Sequence, residues 1–291
     1  MNIKRMVVFG DSLLDAGNLI KTLDLPQEPY YKGRFSNGPV STEYLAESIS
    51  GDQDNKIEHK NYAIGGALTH GFNPSSLLKY HSIPVSEQLV RFENEEGRFQ
   101  KDDLVVINGG ANNFLFTIYN EIPYINLTAK LRVARDLRKI TRKAIKMGAQ
   151  NVIVWNIPDV TFAPVYKSYF TNWVGRFFKS YLQININLQN SLLKSKVADL
   201  QALYPSVNLK LFDFKSLLEE CMTIPEKHGF ENVTDVCIDS YGGADDQGNI
   251  QYDLDIIGDP DKHLCWDYCH PTTKAHKVIS NGMYDLWTTK S

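Results

Sequence analysis

Short apolar runs alternate along this chain with longer stretches whose apolar residues recur at helical spacing. Met6 to Phe9, Asp103 to Asn108, Asn151 to Trp155 and Leu209 to Phe212 are dominated by Val, Ile, Leu and Phe, as strands buried on both faces require. Ile57 to Ala63 makes a weaker fifth run. Between these runs, Pro39 to Ile49 places Val40, Tyr44, Leu45 and Ile49 near one helical face, and Val85, Leu89 and Phe92 mark another helix. Leu127 to Met147 carries Leu131, Ala134, Leu137, Ile140, Ala144 and Ile145 and is stopped by Gly148. Thr171 to Leu203 reads as a long helix whose apolar face includes Phe177, Leu188, Leu192 and Val197. Strand and helix in alternation predict an α/β fold with a mostly parallel five-stranded sheet covered on both sides. No linker-like run divides the chain, so residues 1–291 read as one domain. A loop-rich, lid-like insertion occupies about 221–264, where Gly229 to Lys262 is rich in Gly and Asp and poor in pattern.

The strand ends carry the chemistry. Gly10-Asp11-Ser12 stops the first run, Gly65 and Gly66 follow the second, and Gly109-Gly110-Ala111-Asn112-Asn113 follows the third. In a parallel sheet these ends lie on one edge, where open α/β folds bind ligands. Ser12 is therefore a candidate nucleophile on a strand-to-helix bend, or else a helix cap. The base comes from Trp266-Asp267-Tyr268-Cys269-His270-Pro271-Thr272. Pro271 restrains His270, and Asp267 can accept the Nδ1 proton and leave Nε2 free for a serine. His59, His70, His81, His228 and His263 read as solvated, and His276 as a helix-face residue.

Composition narrows the partners. With a net charge of -3 over 291 residues there is no basic excess for nucleic acid. No run is long enough to span a bilayer. Cys221, Cys237, Cys265 and Cys269 all fall in the last third, which favours one or two disulfides across the insertion, Cys221 with Cys237 first; free thiols or a zinc site are the alternatives. Asn126 and Asn232 open glycosylation-type triplets. The start passes straight into the first strand, so an exported protein, periplasmic or extracellular, would have its signal peptide absent from this chain; a cytoplasmic one is the alternative.

Five ordered blocks span nearly the whole chain: Phe9-Gly10-Asp11-Ser12-Leu13 with Asp15-Ala16-Gly17-Asn18, Gly33 to Gly38, Asn61 to Ala67, Gly110 to Asn113, and Asp267 to Thr272. In these blocks the sequence resembles the GDSL family of serine esterases and lipases within the SGNH hydrolase superfamily. The resemblance implies a three-layer α/β/α sandwich with a flavodoxin-like sheet. It implies nucleophile Ser12, base His270 and orienting Asp267, with oxyanion donors from the Ser12 amide, the Gly66 amide and the Asn112 side chain, Gly65 being the alternative to Gly66. Asn113 departs from the family's usual aspartate, which bears on local hydrogen bonding. Expected substrates are small-molecule or lipid esters, foremost of lysophospholipase or phospholipase A type, with transient contact with membranes or micelles, a monomeric state, and no cofactor or metal. Acyl transfer to a sterol or other alcohol, carbohydrate-ester hydrolysis, and a non-enzymatic flavodoxin-like anion-binding module are the rivals. Phe114, Phe116 and Tyr119 could line an acyl groove or fill the core.

Overall fold

The computed structural model describes residues 3–51, 56–75, 77–115 and 131–289. Five strands form the sheet: β1 (Arg5–Phe9), β2 (Glu58–Asn61), β3 (Asp103–Ile107), β4 (Asn151–Trp155) and β5 (Asn208–Phe212). Their order is β2-β1-β3-β4-β5 and every pairing is parallel, which is the flavodoxin-like order.

The helices are α1 (Ile20–Leu23), α2 (Ser41–Ser50), α3 (Val85–Glu96), α4 (Ala111–Phe114), α5 (Val133–Lys146), α6 (Trp173–Leu203), α7 (Phe214–Thr223) and α8 (Thr273–Thr288). Strand alternation sorts them into two layers. Val7, Phe9, Val105, Ile107, Val152 and Val154 meet α3, α5 and α6 on one face. Met6, Val8, Leu104, Val106, Ile153 and Trp155 meet α2, α7 and α8 on the other. The central strands read as continuous apolar runs because both faces are covered, giving a three-layer α/β/α sandwich.

Several expectations need correction. The helix read over Leu127 to Met147 begins at Val133, behind an exposed Leu131, and residues 127–130 lie outside the described residues. Phe116, Tyr119 and Asn126 also lie outside them. Phe114 is fully buried in the main core. On α6, Phe177, Leu188 and Leu192 face solvent, and Val197 alone of the residues named joins the core. The 221–264 segment is less irregular than its composition suggests: Cys221 lies on α7, and β6 (Asn232–Val236) pairs with β7 (His263–Cys265). His276 is fully buried.

No disulfide joins Cys221 to Cys237, and all four cysteines are free thiols. The two sit in different apolar clusters, Cys221 with Phe230, Leu264 and Cys265, and Cys237 with Tyr30, Ile238 and Trp266. Their packing uses them as small apolar side chains.

Candidate active site

Ser12 stands where β1 runs out of sheet. Just before it, Gln88 clasps the Gly10 backbone, accepting from its N–H and donating to its carbonyl, both at 2.8 Å. Asn108, just past β3, accepts from the Asp11 N–H at 3.0 Å and donates to Asp11 Oδ1 at 3.1 Å. A Cβ on residue 10 would lie 1.8 Å from Asn108 Oδ1, so the bend that presents Ser12 requires glycine there. Burial pushes the Asp11 carboxyl pKa upward, against hydrogen bonds from Asn108 and the Leu13 N–H that lower it.

Between β7 and α8 the chain turns back on Asp267. Asp267 Oδ1 accepts from the Cys269 and His270 backbone N–H groups, each at 2.7 Å, and from His270 Nδ1 at 3.0 Å. Its Oδ2 lies 2.8 Å from His270 Nδ1 and also accepts from the Tyr30 hydroxyl at 2.7 Å and the Gly242 N–H at 3.1 Å. A carboxylate only accepts, so Nδ1 carries the imidazole proton and Nε2 presents a lone pair. That Nε2 is 2.8 Å from Ser12 Oγ, 258 residues away in sequence. The structure thus brings Ser12, His270 and Asp267 into one hydrogen-bonded line.

The other blocks build the frame. Phe35 packs against the His270 ring with centroids 4.8 Å apart. Ser36 Oγ donates to the Pro271 carbonyl, and Asn37 Oδ1 accepts from the Thr273 N–H at the start of α8. Tyr30 and Phe35 were not assigned roles from the sequence. Phe35 lay within a recognisable block, but nothing local to Tyr30 points to an aspartate 237 residues on.

On the opposite side of Ser12, buried Asp15 accepts from the N–H groups of Gly17, Asn18, Leu19 and Gly65. Burial nevertheless raises its pKa to about 6. The Gly65 amide, held at 2.8 Å by Asp15, is thereby committed. Among the described residues the Ser12 and Gly66 amides have no acceptor. Gly66 adopts φ 75°, a left-handed conformation that favours glycine. Asn112 Nδ2 donates to the Ala67 carbonyl at 3.2 Å and keeps a second N–H for a ligand. Asn113 Oδ1 accepts from the Thr69 N–H at 3.2 Å, a bond that an aspartate could also accept.

Ser12, Asn112 and His270 open onto one cavity. Its walls are predominantly apolar: Leu13, Leu115, Val160, Phe162, Pro164, and then Phe214, Leu218 and Met222 of α7 with Ile279 of α8. Cys221, Cys265 and Cys269 also line it. Burial pushes the Cys221 and Cys265 thiols up to about 12 and Cys269 well above its usual value, so all three remain neutral wall.

Residues 6–283 match the family described as GDSL-like Lipase/Acylhydrolase. The chain is 28% identical over 290 residues to a thermolabile hemolysin of Vibrio parahaemolyticus, covering 97% of this chain but only 63% of that protein's length. It is 28% identical over 317 residues to the phosphatidylcholine-sterol acyltransferase of Aeromonas hydrophila, covering 95% of this chain and 88% of that one. Among solved structures, a lipase/acylhydrolase from Enterococcus faecalis aligns at TM-score 0.46 and 15% identity over 97% of this chain and 94% of its own.

Proposed function

The chain belongs to the GDSL-like lipase/acylhydrolase family, within the SGNH superfamily, as a serine esterase, and we propose that its esters are lipid acyl esters of the phospholipase A or lysophospholipase type. The observation that carries the proposal is the apolar cavity opening directly on Ser12 and His270. A sugar ester would need polar groups to orient its hydroxyls, whereas walls of Leu, Phe, Pro, Met and neutral Cys suit an alkyl chain. The Aeromonas relative, named for a phosphatidylcholine donor, supports the same substrate class.

In this reading Ser12 Oγ attacks the ester carbonyl while His270 Nε2 removes its proton. Asp267, held by Tyr30 and backbone N–H groups, stabilises the imidazolium without taking its proton. Charge developing on the carbonyl oxygen is met by the Ser12 and Gly66 amides and the Asn112 side chain. His270 then protonates the departing alcohol, leaving acyl-Ser12, and activates water to release the fatty acid. An alcohol in place of that water would give acyl transfer. The kinship with an acyltransferase favours this second reading, and the two differ only in the acceptor.

The test is a set of phospholipids, lysophospholipids and acetylated sugars offered to wild type and to Ser12→Ala, with a sterol acceptor added in parallel. Fatty-acid release from phospholipid or lysophospholipid, abolished in Ser12→Ala, is expected. Faster turnover of acetylated sugars than of every lipid would overturn the lipid assignment, and an active Ser12→Ala would overturn the nucleophile.

A further inference from the structure

Helix α6 is apolar on two opposite faces. Leu182, Ile186, Leu193, Val197 and Leu200 enter the core, whereas Trp173 is 75% exposed, Phe177 72%, Ile184 66% and Leu188 49%. At about 100° per residue the exposed four fall within a sector of about 60°, roughly opposite the buried set, along about 22 Å of helix. A helix with one face in the core ordinarily turns polar residues outward. A contiguous aromatic and aliphatic stripe there marks an interaction surface.

Charge and position identify what it meets. From Val160 to Ala198 there is no Asp or Glu. Of the basic residues in that stretch, Lys167 pairs with Asp235 at 2.8 Å and Lys179 packs over the Phe162 and Phe170 rings, which leaves Arg176, Lys194 and Lys196 as the basic residues of α6 without an ion pair among the described residues. Trp and Phe on one face with Lys and Arg beside them is the composition of a helix lying in a membrane interface. The same helix also braces the cavity wall. Gln183 Nε2 donates to Asp159 Oδ2 at 2.9 Å, and Lys179 Nζ lies 6.0 Å from the centre of the Phe162 ring. Asp159 and Phe162 both line the cavity.

We propose that the outer stripe of α6, Trp173, Phe177, Ile184 and Leu188, docks on a phospholipid surface, with the exposed Arg176 and Lys194 meeting lipid phosphates. The proposal rests on the lipid-ester reading for its purpose: the docked protein holds its cavity beside the surface that supplies the acyl chain.

The experiment uses the full chain carrying Ser12→Ala, so that the lipid is not consumed, and vesicles of phosphatidylcholine with and without phosphatidylglycerol. Binding by co-flotation is expected, stronger with phosphatidylglycerol and weakened by salt. Adding Trp173→Gln, Phe177→Gln and Ile184→Gln together should lower vesicle partitioning by about tenfold or more. The same three changes in the chain with Ser12 intact should leave kcat/KM on a soluble short-chain p-nitrophenyl ester unchanged. Unchanged partitioning would overturn the proposal. So would a wild-type dimer that the triple variant dissociates without any change in vesicle binding, since the stripe would then be covered by a second copy. Brominated lipids provide a measurement without the triple variant: Trp155 and Trp266 are buried and Trp287 partly buried, so Trp173 should dominate the quenching. Absence of quenching in vesicle-bound protein would equally overturn docking through this stripe. If vesicles bind through α6 but neither short esters nor phospholipids are cleaved by the chain with Ser12 intact, the lipid-ester reading fails and the docking surface stands.

Discussion

Asn112 and Tyr30 show how single side chains complete this site. In the proposed mechanism the second N–H of Asn112 meets charge that exists only in the transition state, so Asn112→Ala should lower kcat by roughly 10² to 10³ with little change in KM. A change confined to KM would make Asn112 a substrate-binding group instead. Tyr30 acts at one remove, donating to Asp267 Oδ2 at 2.7 Å from a buried position. Its phenol pKa is held well above the ordinary value by burial and by the Asp267 charge, so it stays a donor. Tyr30→Phe should cost about 1.5–3 kcal/mol of stability, as for a hydrogen bond to a charged group. Denaturant unfolding measures it, and a smaller loss would mean that the backbone N–H groups suffice to hold the carboxylate.

Helix α8 connects the site to the fold. Its first turn is fixed by the Thr272 cap and by Asn37, directly behind His270, and the same turn buries His276 against α2. His276 Nδ1 accepts from the Ser41 N–H at 3.3 Å, and burial with the nearby His270 charge lowers its pKa to about 3. Free histidine titrates near 6.5, so between about pH 6.5 and 3 the unfolded chain binds a proton that the folded chain refuses. The stability contributed by neutral His276 is complete above pH 6.5 and is lost as pH falls through that window, by about 2 kcal/mol at pH 5. His276→Gln should flatten the fall in unfolding free energy between pH 7 and pH 5. An equally steep fall in the variant would assign the acid sensitivity to other groups.

At the scale of the whole molecule, this is a sandwich held by two apolar layers without covalent staples. All four cysteines are free thiols: Cys221 and Cys265 share one apolar cluster and Cys237 packs in another, while Cys221, Cys265 and Cys269 line the cavity. A reductant should therefore leave Tm unchanged, and denatured protein should titrate with four thiols by Ellman's reagent. Two thiols in place of four, with Tm lowered by reductant, would restore a disulfide.

The sheet and the location of its chemistry were legible from the sequence, because strands buried on both faces must be continuously apolar and a parallel sheet must gather its strand ends on one edge. Met6 to Phe9 and Asn151 to Trp155 follow from the first rule, and the meeting of Ser12 and Asn112 at one cavity from the second. The Asp-x-x-His-Pro spacing put Asp267 within reach of His270, since three residues and a restrained turn leave few other arrangements. Periodicity could not tell which apolar face of α6 meets the core: Leu182 and Phe177 carry the same signal, and only the packing of α5 and α6 on the sheet separates them. Nor could spacing pair the cysteines, because a bridge needs side chains to meet and the turns of 221–264 carry no periodic signal to say where they go. Tyr30 reaches Asp267 across 237 residues. Contacts of that length are decided by which layers pack together, and those belong to the tertiary structure alone.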